Sequence, residues 1–361
     1  MSTAPVLIMA GGTGGHIFPA LAVARALRRR NQPVVWLGTQ HGMESRIVPR
    51  EGIALETVRI SGLRRKGLLA WVLAPLQLAS AVIDAIGILR RLKPRAVLGM
   101  GGFASGPGGI AAWLLGRPLI IHEQNAIAGL TNRLLAGIAR EVLEAFPGSF
   151  SSRVKTRLIG NPVRDEIVAL PDPRARLAGR SGRLRLLVLG GSQGARVLNE
   201  VVPQAVALLA DEQRPEIWHQ AGPATIEVAR QCYAQAGVTA RAEPFIDDMA
   251  AAYAWADMAI CRAGALTISE LAAAGLSAVL VPFPGAVDDH QRHNAGYLVG
   301  AGAAVLIDQS QLTAQRLAAE ISRAAGDRNL VVERAVRARS IARPRATEDL
   351  AELCLIAGAA A

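Results

Sequence analysis

Two glycine-rich loops constrain this chain most. One reads Gly11-Gly12-Thr13-Gly14-Gly15-His16 and follows the apolar run PVLIMA. The other reads Gly190-Gly191-Ser192-Gln193-Gly194-Ala195 and follows LRLLVL. Each run has a strand's length and each loop opens a helical pattern. Lying about half a chain apart, they predict two α/β domains with a cleft between them. Glycine is needed where backbone turns sharply and approaches a ligand closely. A helix start behind such a loop aims free N–H groups and partial positive charge at a bound phosphate.

The 361 residues suffice for two or three domains with a core in each. Strands buried on both faces of a parallel sheet read as unbroken apolar runs, and 34–37, 96–98, 119–121 and 278–281 fit. Helical stretches such as 19–30 and 267–274 alternate with them, which argues for α/β. The net charge of +11 invites nucleic acid, a membrane surface or an anionic substrate. No basic tract interleaves with aromatics and no nucleic-acid motif occurs, so nucleic acid is set aside in favour of membrane or phosphate contact. Cys232, Cys261 and Cys354 lie far apart without Cys-x-x-Cys spacing. That argues against a zinc site or disulfide framework and for a reducing cytoplasm. The N-terminus has no charged n-region, so it is not read as a signal peptide.

Residues 68–89, LLAWVLAPLQLASAVIDAIGIL, have the length to span a bilayer, yet Pro75, Gln77, Ser80 and Asp84 interrupt them. Basic residues at both ends, Arg64, Arg65 and Lys66 against Arg90, Arg91 and Lys93, give no orientation. One or two domain helices are expected. Their apolar surface either rests on a membrane or buries as plain core. The domain boundaries expected are 1–162, 163–341 and a closing segment 342–361 with a helix at 346–357. Asn161-Pro162 favours an extended break, and 171–183 reads as a looser lead into the second domain.

A dinucleotide site fits the first loop poorly. Ile17 stands where the third glycine belongs, and the next strand ends in Gly38-Thr39-Gln40 without the ribose-binding acid. The second loop fails likewise, with His219-Gln220 after its next strand. His16, where the helix begins, is either a general base kept neutral by the helix terminus or a partner for backbone. From Gly99 to Gly109 six glycines follow a strand, a third cradle suited to a diphosphate. Its members are Gly101, Gly102, Ser105, Gly106, Gly108 and Gly109. His122-Glu123-Gln124-Asn125, just past a strand, would read sugar hydroxyls or form a solvated loop. In the second half, Glu270 could hold a ribose diol, or close a capping box with Thr267. Asp288-Asp289-His290-Gln291 is read as a sugar-contacting loop and not as metal ligands.

Eight blocks in order resemble the MurG family of bacterial N-acetylglucosaminyl transferases: GGTGGHIFPALA, MGGFASGPGG, HEQNAIAGLTN, GNPVR, GGSQGA, FIDDMAAAYAWAD, CRAGALTISELAAAG and DDHQRHNA, spanning 11–295. The resemblance implies a GT-B glycosyltransferase fold, α/β, with two Rossmann-like domains whose parallel sheets face an interdomain cleft. It implies neither cofactor nor bound metal. The N-terminal domain would take lipid I and the C-terminal domain UDP-GlcNAc, with 342–361 returning to the first domain. Carried over by motif, the donor site would include Thr13, Gly14, Gly15, Asn125, Arg164, Ser192, Ile246, Ala265, Leu266, Thr267, Ile268, Ser269, Glu270 and Gln291. Ile246 would hold uracil through its backbone, Glu270 the ribose, Gln291 the GlcNAc hydroxyls, and Ser192 and Arg164 the phosphates. His16 is the expected base, with Glu123 in reserve. The implied reaction is inverting β-1,4 transfer of GlcNAc to lipid I, giving lipid II for peptidoglycan. The implied partners are an anionic membrane surface, through 64–85 and Trp113, and the cell-wall and division machinery. The expected location is peripheral, on the cytoplasmic face of the cell membrane. A transferase acting on diacylglycerol is the alternative enzyme, although diacylglycerol has no diphosphate for the Gly101–Gly109 cradle. A non-enzymatic membrane scaffold would leave the donor motifs unexplained.

Overall fold

The computed structural model describes residues 4–60, 68–191, 194–286 and 289–358, the side chains of 68–74 excepted. The chain forms two compact units, Met1–Val163 with Arg343–Ala361, and Arg164–Ala342.

The first unit holds seven strands: β1 (Val6–Met9), β2 (Val34–Gly38), β3 (Ala54–Thr57), β4 (Ala96–Gly99), β5 (Leu119–Glu123), β6 (Glu141–Glu144) and β7 (Arg157–Leu158). Their order is β3-β2-β1-β4-β5-β6-β7, every pair parallel. The strand order reverses at β1, whose Val6 pairs with Val34 on one side and Ala96 on the other. Loops leaving β1 and β4 therefore diverge to opposite faces of the sheet and leave a crevice at its carboxyl edge. Those are the loops rich in glycine.

Helix Gly14–Arg29 buries Ile17, Ala20, Leu21, Ala24 and Leu27, a three-to-four spacing that faces the sheet. Against it lies the closing helix Ala346–Ala357, whose Leu350, Ala351, Cys354 and Ala357 share a core with Val6, Ile8, Ala20 and Ala24. Glu348 pairs with Arg29 and Arg30, and the Arg95 guanidinium donates to the Leu355 carbonyl at 2.8 Å. The 68–89 segment is a single helix, Leu68–Leu92, with Pro75 inside. Among the described residues no helix is long and apolar enough to cross a membrane.

The second unit repeats the plan with β8 (Arg185–Leu189), β9 (Glu216–Gln220), β10 (Arg241–Glu243), β11 (Met258–Cys261), β12 (Ser277–Leu280) and β13 (Ala304–Leu306). The order is β10-β9-β8-β11-β12-β13, again parallel throughout, reversing at β8. Some sequence-based boundaries shift. His122 and Glu123 end β5 and do not follow it, and 171–183 contains a short helix, Pro173–Leu177. The reason at β5 is pairing with β6, which carries the ladder two residues beyond the apolar run.

Many arginines serve the interior and not a ligand. Arg176 donates to the carbonyls of Tyr253, Ala256, Ala274 and Gly275. Asp257, 2% exposed, takes Arg180 and Arg328, each at 2.6 Å, and the Arg185 N–H at 3.0 Å. Burial disfavours the Asp257 carboxylate, but these donors overcome it and hold the group below its usual range. Its stabilising contribution is thus present above the unfolded carboxylate range and is lost as pH falls through the lowered folded value. Asp257→Ala, which strands two arginines, should cost roughly 3–5 kcal/mol by urea denaturation at neutral pH. The deficit should shrink in strong acid.

Candidate functional site

In the first unit the two glycine loops pack on each other. Gly102, at φ +89°, lies so close over Gly11 that a Cβ would enter the Gly11 backbone. Gly101, at φ +94°, lies beneath the His16 ring, where a Cβ would stand 2.9 Å from Nδ1. The Ser105 hydroxyl, fully buried, bridges the carbonyls of Gly101 and Met9 at 2.8 and 3.0 Å. Gly108 packs on Met9 and Leu37, and Gly109 on Leu135. These two let helix Ser105–Leu114 press on the sheet and do not line a ligand cradle. The cradle expected over Gly101–Gly109 therefore contracts to Gly101, Gly102 and Gly106, with Ser105 tying it from below.

Thr13 precedes helix Gly14–Arg29 and caps it through its carbonyl, which accepts from the His16 and Ile17 N–H groups at 3.1 and 3.2 Å. The Gly14 and Gly15 N–H groups have no carbonyl four residues back in the helix, so they are available to an anion. Glu44 sets this loop, and sequence reasoning missed it. Fully buried, it accepts from Gly12 N at 3.2 Å and from Thr39 N and Oγ1 at 2.9 and 2.7 Å. A Cβ at Gly11, Gly38 or Gly42 would collide with its side chain. A cavity of about 610 Å³ opens beside Gly12, lined also by Gln40, His41, Ile60, Gln77 and Phe103. That volume is in the range of small-ligand sites.

At the end of β5 the polar residues have distinct tasks. Glu123, 1% exposed, accepts from Asn125 N (2.9 Å), Asn125 Nδ2 (3.2 Å), Gly129 N (3.1 Å) and Asn132 Nδ2 (2.8 Å). Four N–H donors occupy both of its oxygens. Glu123, the reserve base of the sequence reading, shapes the following loop and places Asn125. Next to it Gln124 Oε1 stands 2.8 Å from His16 Nδ1, and Gln124 Nε2 stands 3.0 Å from His122 Nδ1 and 3.1 Å from the His122 carbonyl. His122 Nε2 meets the Gly160 carbonyl at 2.9 Å, and complete burial pushes the His122 imidazole down to about 4, so it is neutral near pH 7.

In the second unit, helix Ala265–Ala274 follows β11, with Gly264 ahead of it. The N–H groups of Ala265, Leu266 and Thr267 form its free first turn. Thr267 lies inside the helix, not before it, so the capping box fails. Glu270 turns instead to Arg164 Nη2 and the Tyr253 hydroxyl, each at 3.0 Å. Burial pushes the Glu270 carboxyl up, and Arg164 and Tyr253 offset part of this. Tyr253, fully buried, lies in the block FIDDMAAAYAWAD, but the sequence reading gave it no task of its own. Ile268 is fully buried and can offer a ligand only backbone, while Ser269 Oγ bonds the Ala265 carbonyl at 3.0 Å.

Gln291 Oε1 accepts from Phe283 N and Ala263 N at 2.9 and 3.2 Å, which leaves its amide NH₂ to face outward chemistry. The Ile246 N–H is engaged by Gln220 Oε1 at 3.3 Å. A backbone grip on a base through that N–H would first displace Gln220. Gly190 and Gly194 pack on backbone of the Gln220–Ala221 segment, and Gly191 has φ +80°. Ser192 lies outside the described residues. Among the described residues no group of three His, Cys, Asp or Glu could hold a metal. Thr13, Gly14, Gly15 and Asn125 belong to the first unit, and Arg164, Ile246, 265–270 and Gln291 to the second.

Residues 6–144 match the glycosyltransferase family 28 N-terminal domain, and 185–347 match its C-terminal domain. The chain belongs to glycosyltransferase family 28. Its two parallel sheets are those of the GT-B fold. Within family 28 it is 58% identical to a protein of Nitrosococcus oceani over 97% of this chain and 98% of that one. It is 57% identical to one of Alkalilimnicola ehrlichii over 98% and 99%. Both are named UDP-N-acetylglucosamine–N-acetylmuramyl-(pentapeptide) pyrophosphoryl-undecaprenol N-acetylglucosamine transferase. The crystal structure of Acinetobacter baumannii MurG superposes with a TM-score of 0.86 at 41% identity, covering 97% of this chain and 99% of that one.

The loop geometry separates strain from collision. Gly12, φ +87°, has nothing within 4 Å of a built Cβ, so Gly12→Ala should cost only backbone strain, about 1–2 kcal/mol. Gly102→Ala adds an encounter with Gly11 backbone and should cost roughly 3 kcal/mol or more by denaturant unfolding.

Proposed function

We propose that this family 28 chain transfers GlcNAc from UDP-GlcNAc to the MurNAc 4-hydroxyl of undecaprenyl-pyrophosphoryl-MurNAc-pentapeptide, lipid I, forming lipid II. The observation that carries the reading is near-full-length identity of 58% to a transferase named for that acceptor. The site chemistry agrees with it. On the second unit, the open first turn at 265–267 and Arg164 supply positive potential for a diphosphate. Arg164 is 43% exposed, so it can turn donors outward while Glu270 remains beside it. Glu270 takes the ribose diol and the Gln291 amide the sugar hydroxyls. On the first unit, Gly101 and Gly102 present backbone to the acceptor diphosphate.

In the reaction, the acceptor oxygen bonds to the anomeric carbon as the carbon–phosphate oxygen bond breaks on the opposite face, inverting the centre. UDP leaves with the electron pair, and His16 takes the hydroxyl proton. Charge growing on UDP meets donors already in place, an effect commonly worth several kcal/mol. Supplying lipid II connects the protein to wall growth, cell shape and division.

Attachment to the cytoplasmic face of the membrane fits the same reading. Leu76 and Ile83 on helix Leu68–Leu92, Trp113 and Leu114 on helix Ser105–Leu114, and Leu130 and Leu134 on helix Leu130–Leu135 are all about half exposed or more. These three helices pack in succession, and Arg90, Arg91 and Lys93 sit at the end of the first. Apolar side chains beside cations suit an anionic lipid surface. The cysteines, all free, suit a reducing compartment.

Incubation with UDP-GlcNAc and a lipid I analogue should yield the β-1,4 disaccharide, and diacylglycerol in its place should yield nothing. His16→Ala should lower turnover at least a hundredfold, ~2.7 kcal/mol of barrier, with UDP-GlcNAc affinity nearly unchanged. Diacylglycerol as the sole acceptor would sink the proposal. Leu76→Glu with Ile83→Glu should reduce co-sedimentation with anionic vesicles several-fold while leaving transfer to a short-chain, soluble acceptor intact.

A further inference from the structure

We infer that Gln124 is a positioning residue that fixes His16 in the tautomer bearing its proton on Nδ1, so that Nε2 presents a lone pair to the acceptor hydroxyl. The inference rests on the reading of His16 as the base and adds what makes it one.

The polarity of the chain of contacts runs in one direction from its far end. The Gly160 carbonyl can only accept, so the buried His122 must donate to it from Nε2. A neutral imidazole that donates from Nε2 accepts at Nδ1. Gln124 therefore turns its NH₂ toward His122 Nδ1. The His122 carbonyl, 3.1 Å from the same Gln124 nitrogen, gives an independent reason. With the amide reversed, two carbonyl oxygens would face each other there. Gln124 Oε1 is thereby aimed at His16 Nδ1, 2.8 Å away, and an oxygen there requires an N–H on the ring. His16 Nε2 is then the acceptor.

The support is stiff. Gln124 is 1% exposed, its backbone carbonyl takes Asn161 Nδ2 at 3.0 Å, and Gly160 holds φ +87°. His16 itself lies on Gly101, where any side chain would push the ring away. The titratable group coupled to the ring is His122 on β5, with Glu123 beside His122 and Glu44 behind Gly11 and Gly12. Both carboxylates are taken up by N–H donors, so the ring's own polar partner is a neutral amide. Such a partner orients the imidazole as the aspartate of a catalytic triad does, without that aspartate's charge.

The test uses the full chain. In ¹⁵N-histidine-labelled protein, the signal that disappears in His16→Ala should show the Nδ1–H tautomer above the acid limb of activity; an Nε2–H pattern overturns the inference. Gln124→Glu places a carboxylate against Nδ1, which favours the imidazolium. The acid limb of kcat/KM should then move to higher pH by ~1 unit or more. Gln124→Leu should lower kcat roughly 10- to 100-fold and leave the KM for UDP-GlcNAc within about twofold. A uniform loss in Gln124→Glu with an unmoved limb would mark Gln124 as merely structural, even if His16→Ala abolishes transfer. Retention of transfer in His16→Ala would remove the base itself, and the inference with it.

Discussion

The contact of Gly102 with the backbone of Gly11 is the constraint on which the first unit's chemistry depends. Side chains cannot stand between loops that approach so closely, and both φ values on the second loop lie where glycine alone is comfortable. The approach carries Gly101 under the His16 ring. It also leaves the first turn of helix Gly14–Arg29 open beside the same loops. Open backbone N–H groups and an imidazole are thus brought together by the absence of side chains. The parallel sheet makes this arrangement available, because β1 and β4 are neighbours and their loops leave side by side at its carboxyl edge.

Buried carboxylates then hold what glycine leaves loose. Glu44 gathers Gly12 and Thr39, and Glu123 gathers Asn125, Gly129 and Asn132. Glu144 takes the N–H groups of Gly148 and Ser149 at 3.3 and 3.1 Å. Each ends or follows an early strand of the first sheet and returns backbone donors to a place where water is excluded. A charged acceptor bonded to several amides is worth more than neutral pairs of the same geometry. Asp257 does similar work in the second unit with two arginines. The strongly basic composition is in part an account of such interior pairs and of Arg176 on four carbonyls, which weakens any inference from net charge to partner.

Architecture was legible from residue order because it rests on local signals. Short apolar runs, several followed by glycine and then helical spacing, announce parallel strands and their crossovers. The closing helix at 346–357 was readable from its flanking proline and periodicity. Site chemistry was legible only where backbone carried it. The glycine loops and the turn before Ala265 could be named in advance, whereas the hydrogen-bond partners of Glu123 and Glu270 could not. A carboxylate at a strand end looks like an acid or base until its donors are known, and Asn132 lies nine residues from Glu123 and Tyr253 seventeen from Glu270. Glu44 left no trace because its partners come from a different strand and loop. Glycines 108 and 109 misled in the opposite sense: a side chain's absence serves packing as readily as binding.

The second unit is charged but internally satisfied. Glu270 has Arg164 and Tyr253, Gln291 has two backbone donors, and Gln220 occupies Ile246. A nucleotide-sugar arriving here gains affinity only by the difference between its contacts and those it replaces. On the proposed reading its uracil would compete with Gln220 for the Ile246 N–H, and its phosphates would share Arg164 with Glu270. Because burial already disfavours a lone charge on Glu270, pulling Arg164 wholly away would raise the cost of keeping that carboxylate ionised. The arrangement therefore favours a ligand that brings its own donors to Glu270 as it draws on Arg164. A diol beside a diphosphate does both at once, while inorganic diphosphate draws on the arginine without compensating the carboxylate. On the proposed reading, discrimination for a nucleoside diphosphate over inorganic diphosphate would follow from that coupling.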